Sequence, residues 1–235
     1  TILGSVKKLK PGYAMTISKG QVQKIWQHYD LPYNGLINNN ISANEAKEQV
    51  AETICAAVKR QLISDVPVGA FLSGGLDSSS IVAFAKKINP SKSFKCFTID
   101  FDNSSRNFDG MSQDLPYAKR VAEHLGVDLN IVHVKPDIIN RLEEMIYFLD
   151  DPLADPAAIN TLLICELAKE QGIKVLLSGT GGDDIFTGYR RHYALSQEKL
   201  WDWSPNFFRR GLAGISKRLP IGHPFFRRLS KAFSY

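Results

Sequence analysis

The chain has 235 residues, 44% hydrophobic and 23% charged, with 29 Lys/Arg against 24 Asp/Glu for a net charge of +5. That length supplies one sizeable core with a small appendage, and no apolar run approaches the roughly 20 residues that span a bilayer, nor does a secretory signal open the sequence. Three scattered cysteines, Cys55, Cys96 and Cys165, exclude a disulfide framework and a CxxC-type metal site; each lies in an apolar-periodic segment and reads as a buried free thiol, in a soluble, cytoplasmic protein.

In chain order, Thr1 to Ile17 reads as a strand-and-turn stretch around Lys10-Pro11-Gly12, and the Asn, Gly and Pro-rich segment from Pro32 to Asn40 reads as a linker. Ser42 with Glu45 three residues later is a capping box, opening a helix with Val50, Ile54, Ala57, Val58 and Leu62 on one stripe. An apolar segment, Val68 to Leu72, is followed by Ser73-Gly74-Gly75-Leu76-Asp77-Ser78-Ser79 and a helical pattern from Ile81 to Lys87. Phe94 to Phe101 is β-prone, Leu115 to Leu125 helical with Gly126 as its stop, and Leu129 to Val134 a further strand. A helix from about Ile138 to Leu149, a helix from Ala157 to Gln171 ended by Gly172, and a short buried strand from Lys174 to Leu177 complete the pattern. This alternation predicts an α/β fold: a parallel sheet with helices on both faces and ligands at the carboxyl ends of its strands.

The Ser73 loop joins a strand to a helix, which is the setting of an anion site. Adjacent glycines let the backbone approach a ligand, and the free amides of the following helix turn their positive end towards it. Hydroxyls suit phosphate oxygens; Asp77, which would repel bare phosphate, makes sense with a divalent cation between them. The loop is neither GxxxxGK[ST] nor GxGxxG. Its competitor is a serine-rich turn without a ligand, which leaves the Gly pair and the Asp unexplained. The second glycine-rich stretch, Ser178-Gly179-Thr180-Gly181-Gly182-Asp183-Asp184, directly follows the strand ending at Leu177, so both loops are expected to open on the same sheet edge. A flexible turn with an Asp cap is the competing reading there.

Residue for residue, the first loop resembles the pyrophosphate-binding loop (SGGxDS) of the ATP pyrophosphatase families, and SGGLDSS is similar to the synthetase domain of glutamine-dependent asparagine synthetases. Asp151-Pro152-Leu153-Ala154-Asp155-Pro156, the Ser178 loop, Gly188-Tyr189 and Val121 to Gly126 resemble further blocks of that family, and Thr1 to Gly12 resembles the end of its N-terminal glutaminase domain. The resemblance implies an adenine nucleotide alpha hydrolase-like fold, with residues 1–40 as the end of a glutaminase domain plus linker and 41–235 as a synthetase domain truncated on its C-terminal side. It further implies ATP and Mg²⁺ as cofactors. A carboxylate, aspartate or a related acceptor, attacks the α-phosphorus of ATP, pyrophosphate leaves, and ammonia from glutamine displaces AMP from the acyl-adenylate to form an amide. Carried over, Ser73, Gly74, Gly75, Ser78 and Ser79 hold pyrophosphate, Asp77 and Asp183 hold Mg²⁺, and Leu72, Ile99, Ser178 and Gly179 frame the adenosine.

Three departures bear on this. Thr180 stands where the family has Glu or Asp, a position associated with attack on or breakdown of the adenylate; a threonine is no general base near neutral pH, so Asp184 or Asp155 substitutes or the acceptor differs. Asp184 and Thr187 replace the usual Glu and Gly. The family's downstream lysine segment has no match after Ala194. The end from Lys199 to Tyr235 carries eight Lys/Arg and one acid, interleaved with aromatic rings; a helical segment packing its rings inward is the preferred reading over a nucleic-acid or membrane surface. Tyr189, Arg190 and Arg191 are candidates for phosphate or carboxylate contacts, or an exposed helix face. No nucleic-acid partner is expected, and a homodimer is compatible with the sequence. The competing classes are a tRNA-modifying adenylating enzyme with the same loop, and a non-catalytic nucleotide-binding module.

Overall fold

A computed structural model of the chain describes residues 1, 3–31, 40–101, 114–134, 140–149, 151, 153, 155, 157–189 and 192–193. The expected linker from Pro32 onward, the start of the helix at Ile138, Arg190, Arg191 and the basic end after Lys199 lie outside the described residues. The chain forms two compact units, Thr1–Ser178 and Gly179–Tyr235.

In the first unit, β1 (Tyr13–Ser18) and β2 (Gln21–Gln27) form an antiparallel hairpin. Its two-residue turn has Lys19 at φ 52° and Gly20 at φ 74°, the double left-handed geometry that matches strand twist. Only the first strand was legible in sequence; the second, Gln21-Val22-Gln23-Lys24-Ile25-Trp26-Gln27, has every residue exposed, Val22 and Ile25 included, so no buried face marks it.

Helix α1 (Ala43–Gln61) begins as expected: Ser42 Oγ accepts from the Glu45 amide at 3.2 Å while Glu45 Oε2 accepts from the Ser42 amide at 2.9 Å. Only part of its apolar stripe is core. Val58 is buried, Ile54 and Leu62 pack against the core partly buried, and Val50 is exposed.

Four parallel strands follow: β3 (Val68–Phe71), β4 (Lys95–Phe101), β5 (Asp128–Val134) and β6 (Val175–Leu177), in the spatial order β5-β4-β3-β6. Ala70 pairs with Cys96 on one side and Leu177 on the other. The connecting helices are α2 (Leu76–Ile88), α3 (Asp114–Leu125), α4 (Leu142–Leu149) and α5 (Ala157–Glu170).

Alternation along the strands divides the core in two. Val68, Ala70, Leu72, Phe94, Cys96 and Leu177 pack with Val58, Val82, Ala85, Ala118 and Ala122 of α1, α2 and α3. Phe97 and the partly buried Phe71, Ile99, Val132 and Leu176 pack with Ile164 and Ala168 of α5. Helices therefore cover both faces. Gly69 is the close-packed point of β3: a Cβ there would lie 2.7 Å from the Lys95 carbonyl oxygen. Arg141 bridges α4 and α5, donating from Nη1 to Glu166 Oε2 at 3.0 Å and lying 2.6 Å from Glu144; this pairing holds the Glu166 carboxyl below its ordinary range.

Gly126 and Gly172 stop α3 and α5 as expected. Both have positive φ (60° and 76°), and the amides after them return to carbonyls five residues back, Val127 to Ala122 and Ile173 to Ala168. The cysteines differ from expectation. Cys96 alone is buried, its thiol pushed up to about 12 by loss of solvent, whereas Cys55 is half-buried and Cys165 exposed on α5. Helical periodicity alone does not say which faces of α1 and α5 are covered.

Candidate functional site

β3 lies first in the β3–β4–β5 succession, which runs to one side, while β6 adds on its other side. The direction of winding therefore reverses between β3 and β6, and in open parallel sheets the ligand crevice forms at that point, beyond the carboxyl ends of the strands. The two segments leaving this edge are those starting at Leu72 and at Ser178.

After β3, Leu72 is buried and its amide donates to the Phe97 carbonyl at 2.9 Å, which carries the sheet ladder to the lip of the loop. Gly74 then reverses the chain at φ 80°. Ser73 Oγ lies 2.9 Å from Ser78 Oγ and accepts from the Gly75 amide at 3.3 Å, while Ser78 Oγ accepts from the Ser73 amide at 3.2 Å. The two serines thus bracket the glycines and fix the loop from within. Helix α2 begins directly behind, with Gly75 as N-cap and no side chain capping its first amides. Those amides are orphan donors at the positive end of a 13-residue helix, the arrangement that receives an anion.

The two glycines have different duties. A Cβ on Gly74 would lie 2.4 Å from the Ala118 amide nitrogen and 2.5 Å from Tyr117 Cβ, so the loop is seated directly on the first turns of α3. Gly75 has φ −69° and only Ser73 Oγ, at 3.3 Å, near its missing Cβ. Gly74 is required by the protein, and Gly75 leaves its open side to whatever approaches. Tyr117 and Ala118 are neighbours of the loop that sequence reasoning missed. They sit about 40 positions downstream in an ordinary helical pattern, and no local signal marks them.

Asp77 is half-buried in the first turn of α2, and Ser78 is buried. Ser79 Oγ is enclosed without a hydrogen-bond partner, the third hydroxyl of the loop turned away from solvent. Ile99 packs on the α5 side of β4, and Ser178 is exposed at the end of β6.

The second unit opens with Gly179. Gly181 takes φ 96° and caps α6 (Gly182–Ile185), whose first turn carries Asp183 and Asp184, both exposed; Thr180 is exposed just before it. The helix ends in a 6→1 bond from the Gly188 amide to the Asp183 carbonyl at 2.9 Å, with Thr187 left-handed at φ 60°. A β-branched side chain is strained in that geometry. Asp155, one of the carboxylates that could replace the absent acid at 180, accepts from the Ala157 amide at 2.9 Å at the head of α5, and Asp151 pairs with Lys8 at 2.6 Å.

Among the described residues no group of three His, Cys, Asp or Glu gathers to hold a metal. Mg²⁺ is ordinarily held by one or two carboxylates and the oxygens of its phosphate ligand; Asp77 lies half-buried beside the uncapped amides of α2. No described helix is long and apolar enough to cross a membrane.

The Asparagine synthase family profile matches residues 49–234. The chain is 32% identical over 228 residues to the glutamine-hydrolyzing asparagine synthetase 1 of Bacillus subtilis strain 168, covering 94% of this chain and 33% of that protein. It is 30% identical over 204 residues to the amidase chry2 of Gibberella zeae, covering 80% of this chain and 30% of the other. Among solved structures, the NH3-dependent NAD synthetase from Campylobacter jejuni aligns with a TM-score of 0.40 at 14% identity, over 70% of this chain and 77% of that one. The chain spans about a third of the length of the curated relatives it matches.

Proposed function

The chain belongs to the asparagine synthase family, and from that premise we propose that it carries the ATP-activating part of an amide-forming ligase. The supporting observation is the β3–α2 loop: an uncapped helix N-terminus, two bracketing serines and an adjacent carboxylate at the sheet's switch point. The backbone amides of α2 and the Ser73 and Ser78 hydroxyls bind and orient the leaving pyrophosphate. They are fixed before the ligand arrives, so the charge that develops on the leaving group meets donors that need not reorganise. Ser79 joins them by turning its hydroxyl outward. Leu72, Ile99, Ser178 and Gly179 frame the adenosine, while Asp77 and Asp183 hold Mg²⁺, which when bound neutralises phosphate charge.

In the reaction a carboxylate oxygen of aspartate or a related acceptor bonds to the α-phosphorus as the bond to pyrophosphate breaks. Ammonia, released from glutamine elsewhere in the whole protein, then bonds to the acyl carbon, AMP leaves and the nitrogen loses a proton. Asp184 and Asp183, with Thr180, line the segment where the acyl group is handled. This is the work of a cytoplasmic enzyme, and a homodimer is one form it takes.

Thr180 favours a second reading, a nucleotide-binding module without turnover, because its exposed hydroxyl stands where the family has an acid. Calorimetric titration with Mg²⁺-ATP, beside the Asp77→Asn variant, tests the site. Binding that the variant loses supports it, and equal binding by both removes Asp77 from the metal. Acceptor-dependent pyrophosphate release then separates ligase from module.

A further inference from the structure

Helices α1 and α2 pack side by side, and an open groove of about 350 Å³ runs between them. Ala51, Glu52, Cys55, Ala56 and Lys59 line it from α1, and Phe84 and Lys87 from α2. Cys55 and Phe84 are half-buried in it, while Lys59 and Lys87 are exposed. Glu48 extends the α1 side of the groove: at about 100° per residue its direction falls between those of Cys55 and Lys59.

Charge is divided along this face. Glu48 and Glu52 stand in one half and Lys59, with Lys87 beside it, in the other, and none of the four makes an ion pair among the described residues. The helix dipole accounts for Lys59 in the last turn of α1, but Glu48 and Glu52 lie beyond the first turn, where that effect has faded. The helix itself offers these two acids no cation. Three and four residues from them in either direction stand only Asn44, Glu45, Gln49, Ala51, Cys55, Ala56 and each other.

The α1 side of the groove is also self-complementary. A two-fold axis crossing α1 midway between Thr53 and Ile54 exchanges Glu52 with Cys55 and Ala51 with Ala56, and it exchanges Glu48 with Lys59. A contact between two identical surfaces requires such a mapping. Two copies of α1 laid antiparallel across that axis set each Glu48 opposite Lys59 of the second copy, about 16 Å along the helix, and each Glu52 over the groove that carries Cys55 and Lys87. The crossing is made by Ala51, Cys55 and Ala56, whose side chains are short enough for two helix axes to approach to about 8 Å. We propose that the α1–α2 groove is the surface through which two copies of this chain associate, with α1 antiparallel to α1 and the Glu48–Lys59 pairs fixing the register. The proposal rests on the homodimer named above and gives it a surface; it is independent of the nucleotide reading of the β3–α2 loop. A contact built on one 19-residue helix and the flank of another is small, so this dimer is a reversible one, and its exposed charge pairs make it weaker in high salt.

The test is sedimentation equilibrium of the whole protein over a concentration series, for the wild type, Glu48→Lys, Lys59→Glu and an equal mixture of the two variants. Each reversal sets two like-charged pairs across the axis and should raise the dimer's Kd about ten-fold or more. In the mixture every reversed position meets an opposite charge again, so mixed dimers should form as tightly as wild-type ones, a recovery that misfolded variants would not give. A wild type that is monomeric throughout overturns the homodimer itself and leaves the groove to another segment of the protein or to a different partner. A dimer that either reversal fails to weaken uses another face, which overturns this surface alone. Reversals that weaken the dimer without recovery in the mixture overturn the Glu48–Lys59 register and the proposal with it.

Discussion

The segments that follow β3 and β6 are built from the same materials, glycines, hydroxyl residues and aspartates between a strand and a helix, yet they are held in different ways. The first is locked by its own side chains: Ser73 and Ser78 bond to each other and to the loop amides, Gly74 is pressed against α3, and a 13-residue helix follows. The second leads into a four-residue helix, keeps Thr180, Asp183 and Asp184 exposed, and ends on a threonine in left-handed geometry. A loop whose shape is fixed by internal bonds can hold donors ready for charge. Composition alone does not separate the two; the length of the helix behind each loop and the exposure of its carboxylates do.

Substitutions that strike each loop at its particular constraint sharpen the contrast. The largest effect is expected from Gly74→Ala, which combines a strained φ with overlap against the α3 backbone; a loss of about 3 kcal/mol should appear in urea unfolding. A variant of wild-type stability would mean that the loop is not seated on α3. Asp77→Asn should leave unfolding within about 0.5 kcal/mol, as for a surface change, but weaken Mg²⁺-ATP binding more than ten-fold. Gly75→Ala should divide the same way and less sharply. Its φ suits any residue, so stability falls by no more than about 1 kcal/mol from the changed N-cap, while pyrophosphate affinity drops because a methyl group now narrows the approach. If stability falls for Gly75→Ala as far as for Gly74→Ala, the division of labour between the glycines is wrong.

The smallest effect is a gain. Thr187→Gly relieves the left-handed threonine and should slow hydrogen exchange of the Gly188 amide, by an amount corresponding to about 1 kcal/mol. Faster or unchanged exchange there would show that the 6→1 closure of α6 does not depend on residue 187.

Much of the fold was legible because its signals are local. The capping box at Ser42 and Glu45, the glycine stops at Gly126 and Gly172, and the strand-helix alternation each depend on neighbours within a few residues, and each stands in the structure. The covering of particular helix faces was not. Val50 and Cys165 repeat with the right period and are nonetheless exposed, since burial is decided by a partner element that the sequence window does not contain. In the candidate site the Gly pair was visible as a motif, but its two members could not be told apart until Tyr117 and Ala118 came to rest beside Gly74. Strand β2 escaped notice for a related reason, having both sides in solvent and so no buried face to mark it.

The central claim is that the β3–α2 loop receives pyrophosphate. Amide chemical shifts of residues 73–79, followed by NMR as Mg²⁺-pyrophosphate is added, test it most directly. The account predicts shifts concentrated at Gly75, Leu76, Asp77 and Ser78, saturating together and absent in Asp77→Asn. Shifts confined to other parts of the chain, or none in this loop at saturating ligand, would contradict it.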